Sequence, residues 1–368
     1  MATNNGMPQL DIVFKGLGVS AIKRGERGYA VLILEDETEG VPKTRYTTIS
    51  DFTSEEQAKF TTANVEFIKD ALEGVPLALY VFKFGAEDIL TDLFNKIKGI
   101  IPRNSWIAVY SSTALSATQN QTDLVAFVKA ERKNNKKRYK ALAYKVTAAD
   151  DMGVVNHTNA KVTFADKRGE MDGSAAIPYL LGYYAGLSMM MSGIAKPLKF
   201  KSVVEPEDLD EAISSGQHIL FNDEGEVRVA RAVNSLVTVG QGVTEDMTHI
   251  NTVEKMDLIY CDLYKAWNDS YKGKYPNILD NQMLLISAIN GYFKSLSVDF
   301  ILDPNFDNRA EVDIEAQRIA NYPKYGEETV EGWDDAYAMK MTVGTKVFLK
   351  ANNKIPGIME DFFFNIFV

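Results

Sequence analysis

Residues 29–34 read Tyr29-Ala-Val-Leu-Ile-Leu34, an unbroken apolar run bounded by Gly28 and by the acidic loop Glu35 to Glu39. A strand with one wet face alternates apolar and polar residues, whereas a strand covered on both faces reads as a continuous run. YAVLIL therefore predicts a strand in the middle of a sheet with helices on both sides. The residues that follow supply those helices. Ala58, Val65, Ile68 and Leu72 mark a helix over 55–73, Leu77 to Phe84 a strand, and Ile89, Leu90, Leu93, Phe94 and Ile97 a helix over 87–98. Trp106 to Tyr110 and Tyr139 to Val146 read as further strands around a helix over 123–133. Strands separated by helices imply an α/β domain with a mostly parallel sheet.

Beyond two short strands near Val154 and Val162, Ser174 to Met191 reads as an apolar helix. Its small residues, among them Gly182, Ala185 and Gly186, permit close backbone packing. Residues 200–240 turn polar and β-rich, with a short helix at 207–214, strands at 218–221 and 226–232, and a turn at 222–225. A second unit opens near Asn251, where Glu254 three residues on suggests a capping box. Val253, Met256, Tyr260, Leu263 and Trp267 then recur at helical spacing, and a second helix is expected over 278–296. The end reads as β, at 338–343, 345–350 and 358–368.

Two terminal segments have no evident core of their own. Leu10, Ile12 and Phe14 alternate in a short strand pattern before glycines interrupt. At the other end Phe362, Phe364, Ile366 and Val368 share one strand face and Phe363, Asn365 and Phe367 the other, so both faces are apolar. An exposed strand of this kind is an aggregation hazard unless something covers it, either its own core or a neighbouring subunit.

The chain has 368 residues with 40 Lys plus Arg against 50 Asp plus Glu, a net charge of −10. That balance repels phosphate and excludes a nucleic-acid binder working by bulk charge. Apolar residues at 46% suffice for a sizeable core, and the length suggests about two domains. The single cysteine, Cys261, lies on a helix-like face and reads as a buried thiol rather than a nucleophile. No signal peptide and no membrane span is evident, and the reading is of a soluble protein made in a reducing cytoplasm.

Motifs for catalysis fall short. Gly16-Leu-Gly-Val-Ser-Ala21 matches a dinucleotide-binding turn, but a new strand arrives where the phosphate-binding helix should open, so a glycine linker is the better reading. Asp303, Asn305 and Asp307 have the spacing of a calcium loop, yet Asn308 replaces its glycine and Ile314 its bidentate glutamate. His157, His218 and His249 lack metal-ligand spacing. The run Lys129 to Lys140, KAERKNNKKRYK, reads either as an electrostatic contact for an acidic partner or as the solvated end of a helix and its turn. No catalytic, cofactor-binding or metal-binding residue is assigned, and the chain is not expected to be an enzyme.

The stretch from Val227 to Ser270, VRVARAVNSL, a glycine-containing loop and INTVEKMDLIYCDLYKAW, followed by YKGKYPN and a second long helix, resembles the C-terminal half of contractile phage tail sheath proteins. It looks most like the short sheaths of defective prophages and R-type bacteriocins, and the similarity is clearest over 225–368. The resemblance implies an arm and linker at 1–24, an α/β outer domain at 25–200, an α+β sheath core domain at 201–350 and a C-terminal arm at 351–368. It implies stacked hexameric rings around a tail tube, contracting from a metastable extended state to drive the tube through a cell envelope. It assigns inter-subunit arm strands to Leu10, Ile12 and Phe14 and to Phe362, Phe364 and Ile366, with Val343, Val347 and Leu349 as the receiving edge. Gly16, Gly18 and Gly357 would let the linkers swing. The implied partners are further copies of the chain, the tube protein, a baseplate and a terminator, with no direct nucleic acid and no membrane insertion. Assembly is expected in the bacterial host cytoplasm, with release as part of a tail or tail-like particle. The competing reading is an α/β enzyme or ligand-binding protein with a site at the strand ends near 84, 110 and 146.

Overall fold

A computed structural model describes residues 22–112, 114–147 and 149–367. YAVLIL forms strand β1 (Tyr29–Glu35), paired in parallel on both sides, with Tyr29 opposite Ala78 and Ala30 opposite Trp106. The other strands in chain order are β2 (Arg45–Tyr46), β3 (Ala78–Phe84), β4 (Trp106–Tyr110), β5 (Lys140–Tyr144), β6 (Val154–His157), β7 (Lys161–Phe164), β8 (Glu170–Asp172), β9 (Phe200–Val203), β10 (Gln217–His218), β11 (Leu220–Asp223), β12 (Glu226–Val229), β13 (Arg309–Val312) and β14 (Leu349–Asn352). The main sheet has seven strands in the order β10-β6-β5-β4-β1-β3-β2, parallel except where β2 pairs with β3.

The principal helices are α1 (Thr62–Glu73), α2 (Leu90–Ile97), α3 (Ala114–Asn134), α4 (Ile177–Gly186), α5 (Ile250–Ala266), α6 (Leu279–Val298), α7 (Ile314–Tyr325) and α8 (Asp335–Lys340). On one sheet face Ala30, Leu32 and Leu34 join Ile68 of α1 and Leu180, Leu181 and Tyr184 of α4. On the other Val31 and Ile33 join Phe94 of α2 and Leu124 and Val128 of α3. Residues 30–34 are fully buried, each side chain contributing about 1.5–3 kcal/mol of transfer free energy for the larger ones. Helices α1 and α4 touch backbone to backbone: a Cβ on Gly182 would strike the Ala71 carbonyl oxygen, and one on Gly186 that of Gly74. The small-residue reading of this helix is thereby explained.

Packing divides the chain into two compact units. One is Gly25–Cys261 with Ile355–Val368; the other contains Asp262–Lys354. This division differs from the composition boundary at 200/201. Leu220, Val227, Val229, Ala232 and Ile250 belong to the same apolar cluster as Leu32 and Leu180, so the polar, β-rich stretch packs on the α/β layer rather than starting a new core.

The two long helices appear where their spacing placed them, α5 ending in a π-helical turn at Trp267–Tyr271. Asn251 does not cap α5; its Nδ2 donates to the carbonyls of Met189 and Met191. The first half of the strand expected at 338–343 is instead the end of helix α8, which the Asp334 side chain caps by accepting from the Tyr337 amide at 2.7 Å, and of the rest Val343 alone makes an isolated bridge. At 345–350 regular pairing begins only at Leu349, and residues 358–367 form no strand within the chain.

Candidate inter-subunit surfaces

The C-terminal segment is held at its root and open beyond it. Lys255, fully buried on α5, donates from Nζ to the Pro356 carbonyl at 2.9 Å. Desolvation pushes its ammonium down to about 8. Arg231 places Nη2 2.6 Å from both carboxylate oxygens of Asp361 and Nε 3.5 Å from Glu360. A groove of about 320 Å³ beside this root is lined by Arg231, Asp246, His249 and residues 357–361. Past Asp361 the chain faces solvent: Phe363 and Phe367 are more than 90% exposed, and Phe362, Phe364 and Ile366 are also open. The rings of Phe362 and Phe364 stack at 5.8 Å, so the two residues share a face as their alternation predicts. Several large apolar side chains in one exposed run mark an interaction site.

In the other unit β13 and β14 form a two-stranded antiparallel ribbon, Val312 opposite Leu349 and Arg309 opposite Asn352. Neither strand has a second partner among the described residues. Leu349 opens β14. Val343 bridges to Lys346 across Gly344, whose φ is +51°, and Asn277 pins this turn by donating to the carbonyls of Gly344 and Lys346. Val347 lines a neighbouring groove. Phe362, Phe364 and Ile366 are thus on one exposed segment, while Val343, Val347 and Leu349 occupy a turn, a groove wall and a strand. Leu10, Ile12 and Phe14 lie outside the described residues, as do Gly16 and Gly18.

The basic run folds largely inward. Arg132 pairs with both carboxylate oxygens of Asp257 at 2.8 and 3.2 Å, Lys140 with Glu254 at 2.6 Å, and the Arg138 guanidinium lies 3.6 Å over the Tyr260 ring. Burial works against the Arg132 charge, and Asp257 beside it raises its pKa nonetheless. Lys133 and Lys136 remain exposed. So Arg132, Arg138 and Lys140 clasp α5 instead of reaching for a partner.

The side chains weighed for chemistry in the sequence are engaged within the fold. His157 and His218 are buried side by side, His157 Nδ1 donating to the His218 carbonyl at 3.2 Å and His218 Nε2 lying 2.5 Å from the Tyr184 hydroxyl. Burial lowers their pKa values to about 4 and about 3. Burial pushes the Cys261 thiol up to about 11, which leaves it protonated and unreactive at neutral pH. Asp303 accepts from the Asn305 amide and pairs with Lys354 at 3.0 Å, an Asx turn in place of a calcium loop. Among the described residues no group of three or more metal-ligating side chains converges, and no helix is long and apolar enough to cross a membrane. Asp36, at the carboxyl end of β1, is occupied by Thr61, Asn64 and the Thr38 amide.

Residues 243–368 match the model of the phage tail sheath C-terminal domain. This domain contains both open surfaces, the β13–β14 ribbon and the aromatic segment. Over 366 residues the chain is 23% identical to a tail sheath protein of Clostridium phage phiCD119, covering 97% of this chain and 98% of that protein. Its fold is shared with the sheath tail protein of Desulfitobacterium hafniense, at a TM-score of 0.66 and 16% identity over 79% of this chain and 91% of that one. It is shared also with the contracted helical sheath of the anti-feeding prophage, at a TM-score of 0.68 and 12% identity over 100% and 99%. The sheath fold therefore extends beyond the matched domain to the α/β layer.

Sequence reasoning missed Arg231, Lys255 and Asn277, which hold the two surfaces in place. Lys255 left one local signal, a lysine on the helix face that also carries Asn251 and Leu258. Arg231 and Asp361 are 130 residues apart and left none.

Proposed function

We propose that the chain is the structural subunit of a contractile tail sheath. The carrying observation is the exposed aromatic segment 362–367 at the end of a tail sheath domain, an apolar strip with nothing of its own chain over it among the described residues. In this reading subunits polymerise as stacked hexameric rings around a tail tube, and the terminal arms, Leu10, Ile12 and Phe14 at one end and Phe362, Phe364 and Ile366 at the other, add strands to a neighbour. The receiving edge runs through Val343, Val347 and Leu349, where the side of β14 away from β13 has no strand partner among the described residues. Arms that stay paired act as hinges while the bodies move outward. A free-energy difference of a few kcal/mol per subunit, multiplied over many copies, drives contraction without a nucleotide. The tube, a baseplate that triggers contraction and a terminator are the partners, and the particle assembles in the bacterial cytoplasm before release.

Negative-stain electron microscopy over a concentration and salt series tests this. Hollow tubes or stacked rings are expected. Uniform monomers at high concentration, together with a saturable small ligand that raises the melting temperature, would favour the α/β ligand-binding reading instead.

A further inference from the structure

The main sheet ends on β10, a strand of two residues, Gln217 and His218, lying parallel to Asn156 and His157 of β6. An edge this short has little ladder of its own, so side chains decide whether it stays. The His218 carbonyl accepts from the Thr158 amide at 3.3 Å and from His157 Nδ1 at 3.2 Å, and Thr158 Oγ1 donates to Gln217 Oε1 at 2.7 Å. The His218 ring points inward, its Nε2 2.5 Å from the Tyr184 hydroxyl. Half of these contacts run through an imidazole. Both rings are fully buried, and their Nδ1 atoms stand 3.5 Å apart.

A further proton has no place in this arrangement. Donation to a carbonyl fixes the proton of neutral His157 on Nδ1; the next one would sit on Nε2, which has no hydrogen-bond partner among the described residues. A charge on each ring would also set like against like in a dry site. Among the neighbours, β5 brings the Tyr144 ring and Lys145, which opposes the charge, α4 brings Tyr183 and Tyr184, and Glu360 acts on Tyr184. Asp172, at the end of β8, favours the charge on His157 but stands 3.3 Å from the Tyr144 hydroxyl and makes no bond to the ring. The flanks of the strand fit a local opening. Gly216 precedes it with a φ of +76°, a conformation glycine adopts freely. Leu220 follows it, clamped by Asn159, which donates to its carbonyl and accepts from its amide, each at 2.8 Å.

We propose that His157 and His218 form an acid-opened latch: when both imidazoles take up protons, residues 217–219 leave the edge of the main sheet while its centre stays folded. At neutral pH the rings are uncharged and the edge is closed. In acid the open form, whose rings have returned to water, binds protons that the closed form refuses, so its share rises. The backbone of β6 then becomes a free edge. The latch belongs to the α/β layer and stands apart from the sheath reading.

Hydrogen exchange of the full chain, read by mass spectrometry at pH 7 and pH 4.5 with labelling times matched to the intrinsic amide rates, tests the latch. Protection at 216–219 and at Thr158 is expected to fall by about a hundredfold or more, since two pH units below the ordinary imidazole value gives about a hundredfold per ring. Residues 30–34 should stay protected through the longest labelling. A fall shared equally by 30–34 means that the rings act only on the whole fold, and unchanged protection at 216–219 means that they do not act; either overturns the latch. In the double variant H157N/H218Q, which keeps side-chain amides near the Nδ1 and Nε2 positions, the acid-induced fall should disappear. A fall as large as in the unaltered chain overturns the proposal. If the double variant does not fold, exchange of the ring Cε1 hydrogens in the unaltered chain takes its place. Both rings must then titrate over the pH interval in which 216–219 opens, and titration of both with 216–219 still protected overturns the latch.

Discussion

Burial keeps His157 and His218 neutral in the folded chain, with pKa values near 4 and 3 against about 6.5 when exposed. Between pH 6.5 and 4 the unfolded chain binds protons that the folded chain refuses. Stability is therefore full above about pH 6.5 and falls with acidification, by roughly 1 to 2 kcal/mol per pH unit for each histidine. Urea midpoints at pH 7 and pH 4.5 check this: H218Q should flatten the dependence, and equal midpoints in the unaltered protein would defeat the argument. Arg231 gives a second test at this scale. Arg231→Ala should speed amide exchange at residues 357–361 by a few-fold, about fivefold at most, while leaving the melting temperature nearly unchanged, since a partly exposed ion pair adds less than about 1 kcal/mol. Unaltered exchange would mean that the root is held by Lys255 alone. Neither role was legible in the sequence, because a side chain's partner a hundred residues away leaves no periodic trace.

Among the elements, α5 is fastened to the α/β layer by charge as well as by packing. Asp257→Ala should cost about 3–5 kcal/mol by stranding Arg132 in a dry site, and R132M/D257L should recover most of the loss, since an apolar pair needs no desolvation. Urea unfolding of the unaltered chain, R132M, D257L and the pair forms a complete cycle. Additive costs would show that the two groups do not share an interaction. Elements were readable in proportion to how completely one environment covers them. YAVLIL announced a central strand because both its faces are buried, and α5 and α6 showed their stripe because one face is. Residues 338–343 misled because Met339, Met341 and Val343 alternate with Lys340 and Thr342 as in a strand, while the cap that decides for helix through Lys340 sits in the single side chain of Asp334. The KAERKNNKKRYK run looked like surface because charge counts say nothing of direction.

For the whole molecule, the exposed segment lies outside every apolar cluster of the described residues. Deleting residues 359–368 should leave a folded monomer with unchanged far-ultraviolet circular dichroism that no longer polymerises at any concentration, as sedimentation would record. Loss of folding would place the strip in its own subunit's core and end the arm reading. The bond between Arg231 and Asp361 carries one more consequence. Because the chain is tied down at 361, only three residues of slack separate the tie from Phe364, at most about 10 Å of extended backbone. An arm counted from 351 would be a slack rope, tolerant of any spacing between neighbours. In the proposed sheath this one is a short tether, Phe364 reaching only as far as three residues past Arg231 allow until that modest ion pair opens.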